Sequence, residues 1–472
     1  MPISRFARVL APGAIIFASL TLPSGPSLAQ GLMSPQPMGA PQRMVRPAAP
    51  PAAQAPAVQA PAARSAPPAA WPPGQQATQA EPSPQPVKKR KPRRKAAAKG
   101  SGNNNVGGGW AIRTDAVPNL QPETFYATAK AAERYAAIAD AGGWPKITKP
   151  LQPGASGPAV AALRKRLSLE GDLPASAADS TRWDAELTKA VRNFQYRVGL
   201  RQNGVVSGKT LTAINIPAAL RFRQLASSAH RIAGSNFSFG NRYVVVNIPS
   251  ASVEAVENGR VVRRYVAVVG DVKHRSPQVI TRITHVNLNP TWTVPTSIIK
   301  NEIIPRMRRD PGYLSRSKIR ILDGRGKEIN ASSINWSTER AANYTLRQDS
   351  GTHNALGSIR IQMPNSESVY MHDTPSKRFF ARDYRFLSHG CVRVKDVYDL
   401  AEWLLRGAPG AMSKQAMIKQ IGNKRRDVRL AAPVPVAWIY MTGWASSDGV
   451  VHFREDIYNV DRIGGGRTAS AR

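Results

Sequence analysis

The stretch VYMHDTPSKRFFARDYRFLSHGCVRV, residues 369–394, contains Cys391, the only cysteine in 472 residues, set between a His-Gly pair and a Val-Arg pair. A single thiol cannot form an internal disulfide, so it is a buried apolar filler, an intermolecular bridge or a reactive group. Its neighbours favour chemistry. Gly390 lets the backbone turn tightly and approach a ligand, and the N–H groups of Gly390 and Cys391 are candidate donors to an oxyanion. The run VKDVYDLAEWLLRG (394–407) reads as a helix with Asp396 as N-cap, Asp399 three residues on, and Val397, Ala401 and Leu404 on its buried face. The thiol is then expected just ahead of a helix N-terminus, whose dipole favours thiolate. Two histidines compete as the base. His389 shares the loop, and His372 lies in a strand-like run where Tyr370 and His372 project to the same side. Spacing alone leaves the choice open, and His230, His274, His285, His353 and His452 are read as structural.

Working outward, the surrounding pattern is β-rich. RYVVVNIPSASVEAVENGRVVRRYVAVVG (242–270) alternates around Asn258-Gly259, a hairpin signal because both residues tolerate positive φ. Further strand-like runs occupy 282–294, 357–363 and 368–372, with few long helices between them. Residues 297–351 mix helical patterning with turns and break this rhythm, and are expected to be an insertion serving as a lid.

The N-terminal part is organised differently. Arg5 and Arg8, an apolar run from Val9 to Leu22, and Ser27 and Ala29 in SLAQ read as an export signal over 1–29, too short and too Pro-interrupted for a bilayer span. Residues 30–108 read as a disordered Pro/Ala-rich linker, since fifteen of the 39 prolines fall in 31–86. It ends in the basic run KKRKPRRKAAAK (88–99) and a Gly-rich hinge. A helical connector is expected over 109–147. In the compact unit at 148–218, Val160, Leu163 and Leu167 share one helix face, as do Leu187, Val191 and Phe194, and QNGVVSGKTLTAINI adds a third short helix. The catalytic domain is placed at 241–430, and 431–472 is expected to be an extension packing on it.

A formal charge of +36, from 66 Lys+Arg against 30 Asp+Glu, calls for an anionic partner. Export excludes nucleic acid and leaves cell-wall polymer or an anionic envelope surface reached by the basic linker. No HExxH and no cysteine pair points to a metal, and no cofactor is expected.

Two resemblances follow from these residues. GASGPAVAALRKRL, AVRNFQYRVGL and NGVVSGKTLTAIN look like the three-helix peptidoglycan-binding module that accompanies many wall enzymes. HDTPSKRFFARDYRFLSHGCVRV resembles the L,D-transpeptidase (YkuD-type) signature, a His followed after fifteen residues, 373–387, by Ser-His-Gly-Cys-hydrophobic-Arg. LNPTWTVP, NALGSIRIQMPN and the tail MTGWASSDGVVHFREDIY resemble the large-insertion Gram-negative branch.

The resemblance implies a multidomain chain whose β-rich catalytic domain carries a mixed helical lid, with a periplasmic, wall-associated location. By resemblance Cys391 is the nucleophile and His372 the general base and acid. His389 and Gly390 shape the oxyanion loop, supported by Ser388. Arg393 orients that loop or meets a substrate carboxylate, and Tyr370 and Trp292 line the donor groove. The implied substrates are peptidoglycan stem peptides as donor and acceptor, giving 3→3 cross-links through a thioester that carbapenems would also form. Water as acceptor would give hydrolysis, and a lysine of an outer-membrane protein would tether that protein to the wall. A silent wall-binding scaffold is the alternative of another class.

Overall fold

The computed structural model describes residues 110–461. The expected signal segment, the expected linker and the end of the C-terminal extension lie outside the described residues.

The chain begins with five helices: α1 (Thr124–Asp140), α2 (Pro158–Glu170), α3 (Ala185–Arg197), α4 (Gly208–Ile214) and α5 (Ala218–Ala233). Local chemistry sets their ends. Pro158 opens α2, where its missing N–H costs nothing, and Gly171 closes it at φ 84°. Asp184 caps α3 by accepting from the Leu187 N–H at 2.8 Å. Val160, Leu163, Leu167, Leu187, Val191 and Phe194 are all fully buried in one cluster, as their spacing requires. Helix α5 is not anticipated from the sequence. Among the described residues no helix is long and apolar enough to cross a membrane.

The β-rich part contains β1 (Arg242–Asn247), β2 (Ser252–Glu257), β3 (Arg260–Gly270) and β4 (Val279–Leu288). Asn258 and Gly259 take φ 50° and 74° in the β2–β3 turn, the positive values that Asn-Gly tolerates. An inserted unit follows, with β5 (Trp292–Thr293), α6 (Thr296–Ile298), a π turn at Ile299–Ile303, α7 (Ile304–Arg309), α8 (Tyr313–Arg316), β6 (Ile319–Leu322), β7 (Glu328–Ile329) and β8 (Thr345–Gln348). The main sheet resumes with β9 (Ile359–Gln362), β10 (Met371–His372), β11 (Phe386–Ser388) and β12 (Val392–Val394). Helices α9 (Val397–Leu405) and α10 (Lys414–Lys419) lead to β13 (Arg426–Ile439), β14 (Gly443–Ala445) and β15 (Val451–Phe453).

The main sheet runs β11-β3-β12-β10-β9-β4-β13-β1-β2, and β2 returns to β3. The eleven-residue β3 closes this ring by pairing with β2 along its first half and with β12 near its end. Closure leaves few open sheet edges. The inserted unit has its own sheet, β5-β8-β6-β7, and its own core around Ile299, Ile303, Met307, Ile321 and Leu346. It begins at Trp292, earlier than the expected 297. Buried Asn354 ties its two ends together, donating to Pro290 O at 3.0 Å and Asp349 O at 2.9 Å.

The C-terminal part differs from expectation. Strand β13 crosses the anticipated 430/431 boundary and is central, pairing with both β4 and β1. Beyond it, the β14–β15 hairpin packs on the helical bundle: Ala445, Val451 and Phe453 belong to the bundle's core. Arg197 donates to Val451 O and Arg454 to Arg197 O, both at 3.0 Å, while the Arg221 guanidinium lies 4.2 Å from the Phe453 ring. Buried Glu170 ion-pairs with Arg166 at 2.7 Å and Arg197 at 3.0 Å beneath this contact. Burial opposes its ionisation, but the two guanidiniums hold its carboxyl well below the usual carboxylate range. The reason is compositional: the bundle alone leaves an apolar face that the hairpin covers. Phe453→Ala is expected to lower the unfolding free energy of the full chain by about 3 kcal/mol in chemical denaturation.

Candidate active site

Strand register builds the site. Strands β10 and β12 run parallel with Met371 opposite Val392 and His372 opposite Arg393. Met371 and Val392 are fully buried in the main core, so the residues flanking them face the other side. On that side the pairings of β9, β4 and β13 produce a cross-strand row Arg393–His372–Arg360–Asn287–Asp427. Two residues along lies a second row, in which Cys391 and Tyr370 precede the paired positions and Gln362, His285 and Arg429 continue. Between them runs the apolar row Val392, Met371, Ile361, Val286 and Val428 on the inner face. The Tyr370 and His372 rings meet edge-on at 5.7 Å, and the Tyr370 hydroxyl neighbours the Cys391 thiol and the Trp292 indole.

The cysteine loop is braced from behind. Gly390 takes φ 105°, a backbone that a side chain would strain. A Cβ on Gly270 would run into the His274 carbonyl, so loop 271–276 folds back only because Gly270 has none. Within this fold the Gly270 N–H donates to Ser276 Oγ at 2.9 Å, and that hydroxyl donates to Gly390 O at 2.6 Å. Tyr458 Oη donates to Gly270 O at 2.6 Å and accepts from the Ser276 N–H at 3.2 Å. Ser388 is buried and donates to Cys391 O at 2.6 Å, which places its hydroxyl as a brace.

The two candidate bases separate cleanly. His372 is buried on the thiol's face, and its Nδ1 has no hydrogen-bond partner. Backbone groups of Asp373 and Leu356 hydrogen-bond the imidazole and favour its charged form. His389 turns instead toward the inserted unit, where its Nε2 lies 2.7 Å from Glu302 Oε1. Its ring lies against His274 with centroids 4.4 Å apart and planes tilted by 36°, and His274 Nδ1 is 3.2 Å from Asp271. Of the other histidines, His452 is buried against Ser446, His285 sits in the polar row, and His230 and His353 are exposed rather than structural.

The electrostatics overturn one expectation. Cys391 is followed directly by β12, and α9 starts only at Val397, so no helix dipole reaches the thiol. Asp396 occupies the N-cap position at φ 53° without a side-chain cap bond. Burial pushes the thiol up to about 11, with Tyr370 and the charges of Arg393 and Arg360 pulling partly back. Burial, then the Arg393 charge, drives His372 down to about 3. At neutral pH the pair is therefore a protonated thiol beside a neutral imidazole.

Sequence reading missed Arg360, Gln362, Asn287 and Asp427. The alternation in SIRIQM signals that Arg360 and Gln362 share a face, but no local pattern says which strand lies beside them. Ser276 and Glu302 left no signal.

Matches to two family models agree with this architecture. Residues 241–412 match the YkuD family, the L,D-transpeptidase catalytic domain, and residues 156–214 match "Putative peptidoglycan binding domain". A "Putative L,D-transpeptidase" from Haemophilus influenzae is 32% identical over 220 residues, covering 46% of this chain and 44% of its own. The chain thus spans less than half the length of that relative. Among solved structures, the L,D-transpeptidase (residues 123–326) from Xylanimonas cellulosilytica is 17% identical, covers 62% of this chain and 99% of its own, and superposes with a TM-score of 0.18. The L,D-transpeptidase from Mycobacterium smegmatis is 16% identical, with 42% and 58% coverage and a TM-score of 0.21. The β-rich region thus matches a YkuD-type L,D-transpeptidase catalytic domain, and the helical region ahead of it matches the peptidoglycan-binding family.

Alkylation of Cys391 by iodoacetamide should rise about tenfold per pH unit from 7 to 9, as for a buried thiol titrating well above neutrality. A thiolate–imidazolium pair would instead give a rate already level across that range.

Proposed function

We propose that this protein is an L,D-transpeptidase of peptidoglycan that uses Cys391 as its nucleophile and His372 as its base and acid. The observation that carries the reading is the placement of Cys391 and of His372, whose buried Nδ1 has no hydrogen-bond partner, on one face of paired strands, with the thiol loop held by Ser276 and Ser388. The substrate class is carried over from the two matched domains.

In the first half-reaction the Cys391 proton passes to His372 Nδ1 as sulfur attacks the carbonyl joining the L-centre of the third stem residue to the terminal D-alanine. Charge developing on the carbonyl oxygen is received by the N–H groups of Gly390 and Cys391. The C–N bond breaks, D-alanine leaves with the proton held by His372, and a thioester remains. In the second half an acceptor amine attacks the thioester and gives a proton to His372. The C–S bond then breaks and the proton returns to sulfur. Because the resting pair is neutral, proton transfer accompanies attack instead of preceding it. His389 and Gly390 shape the oxyanion loop, and Tyr370 and Trp292 line the donor groove.

The inserted unit, pinned to the thiol loop by Glu302 and His389, serves as a lid that excludes water and so favours an amine acceptor. A periplasmic location at the wall, with the helical domain holding glycan-peptide and the basic linker an anionic envelope surface, completes the reading.

Incubation of the full mature chain with disaccharide-tetrapeptide, read by mass spectrometry with Cys391→Ala as control, tests it. Dimers lacking one D-alanine are expected from the wild-type protein alone. Monomers lacking D-alanine, without dimers, would make water the acceptor. No D-alanine release, or equal release from Cys391→Ala, would overturn the proposal.

A further inference from the structure

One charged side chain beside the thiol has no part in these steps. Arg360 occupies the middle of the row Arg393–His372–Arg360–Asn287–Asp427, directly opposite His372, and its charge reaches Cys391 across β10. Its Nε–H donates to Asn287 Oδ1 at 2.9 Å, and Asn287 Nδ2 donates to Asp427 Oδ1 at 2.8 Å. That chain fixes one edge of the guanidinium. The other end leans toward the thiol side, with Cζ 5.5 Å from the Tyr370 ring centroid. Among the described residues Arg360 forms no ion pair, although Asp427 pairs with Arg425 at 2.6 Å. An anchored, half-buried guanidinium on the thiol's face with no carboxylate in direct contact is a receptor for one.

The surroundings support a ligand there. His372 Nδ1 and Gln362 Oε1 are both buried without hydrogen-bond partners. They flank Arg360 on the same face, one across the strand and one two residues along it. Leaving a buried polar atom unpaired is costly, and a ligand presenting an N–H to Gln362 would remove that cost. An anion together with a nearby N–H describes a peptide carboxylate. Arg393, the residue anticipated for this task from the motif, lies 5.7 Å from the Phe379 ring with its own Nε buried and unpaired.

We propose that Arg360 receives a carboxylate of the donor stem, with Gln362 accepting from a stem N–H, and thereby determines which acyl group is presented to Cys391. This rests on the reading of Cys391 and His372 given above. Two carboxylates lie near the scissile bond: that of the terminal D-alanine and the side-chain carboxylate of a diaminopimelate third residue.

The test uses the full mature chain as wild type, Arg360→Gln and Arg360→Lys, with tetrapeptide donors carrying either the free carboxylates, an amidated terminus or an amidated side chain. Arg360→Gln should raise KM by about tenfold to a hundredfold, as loss of a charge-assisted hydrogen bond would, with kcat within about threefold. Arg360→Lys should recover part of the loss, since it keeps the charge and not the fork. Only the amidation that removes the recognised carboxylate should hurt the wild type while leaving Arg360→Gln indifferent, and this identifies the source. An unchanged KM in Arg360→Gln, even with a lowered melting temperature, or equal sensitivity of both proteins to each amidation, would overturn the inference while leaving the proposed function standing. Should the wild type transfer nothing, calorimetry of tetrapeptide binding to Cys391→Ala, with and without Arg360→Gln, still decides. A loss of affinity of the same size supports the inference, and equal affinity or no binding overturns it.

Discussion

The parallel pairing of β10 with β12 is the constraint on which the site depends. With Met371 opposite Val392, Cys391 and His372 are delivered to one face. Side chains alternate with a period of two, so a one-residue slip of either strand would send the thiol and the imidazole to opposite sides. A pairing this short cannot hold its own register. It is held by what surrounds it: the fully apolar row through Ile361, Val286 and Val428, and the closure of the ring through β3. Tyr458 and Ser276 then fasten the turn before the cysteine. The C-terminal segment thus acts twice, covering the helical bundle with β14–β15 and bracing the thiol loop with Tyr458.

Burial decides the electrostatic character of the site. It raises the thiol and lowers the imidazole, so each stays neutral when the site is empty. The positive charges of Arg393 and Arg360 pull the thiol down but do not outweigh desolvation. A resting thiol of this kind resists casual alkylation and oxidation, a useful property for an unpaired cysteine. The same two charges make the face attractive to a carboxylate-bearing substrate, which joins substrate recognition to the local field.

Much of this was legible in the sequence, for identifiable reasons. Heptad-like spacing gave the buried faces of α2 and α3, and Asn258-Gly259 gave the β2–β3 hairpin, because each depends on neighbours within a few residues. The His-to-Cys motif gave the family. What escaped depends on distant pairings. The role of β13 as a central strand, the packing of β14–β15 on the bundle and the placement of Arg360 beside His372 all join segments far apart in the chain. The expected helix dipole at Cys391 failed because β12, invisible as a strand in so short a run, and the two residues after it separate the thiol from α9.

The most direct measurement is to mix the full mature protein with disaccharide-tetrapeptide in the absence of an added amine. The reaction is quenched in acid after seconds, and the tryptic peptide containing Cys391 is weighed. The account requires that peptide to carry the disaccharide-tripeptide acyl group as an acid-stable thioester, and His372→Ala to show no such adduct. An acyl group on any other residue, or release of D-alanine at the wild-type rate by Cys391→Ala, would contradict it.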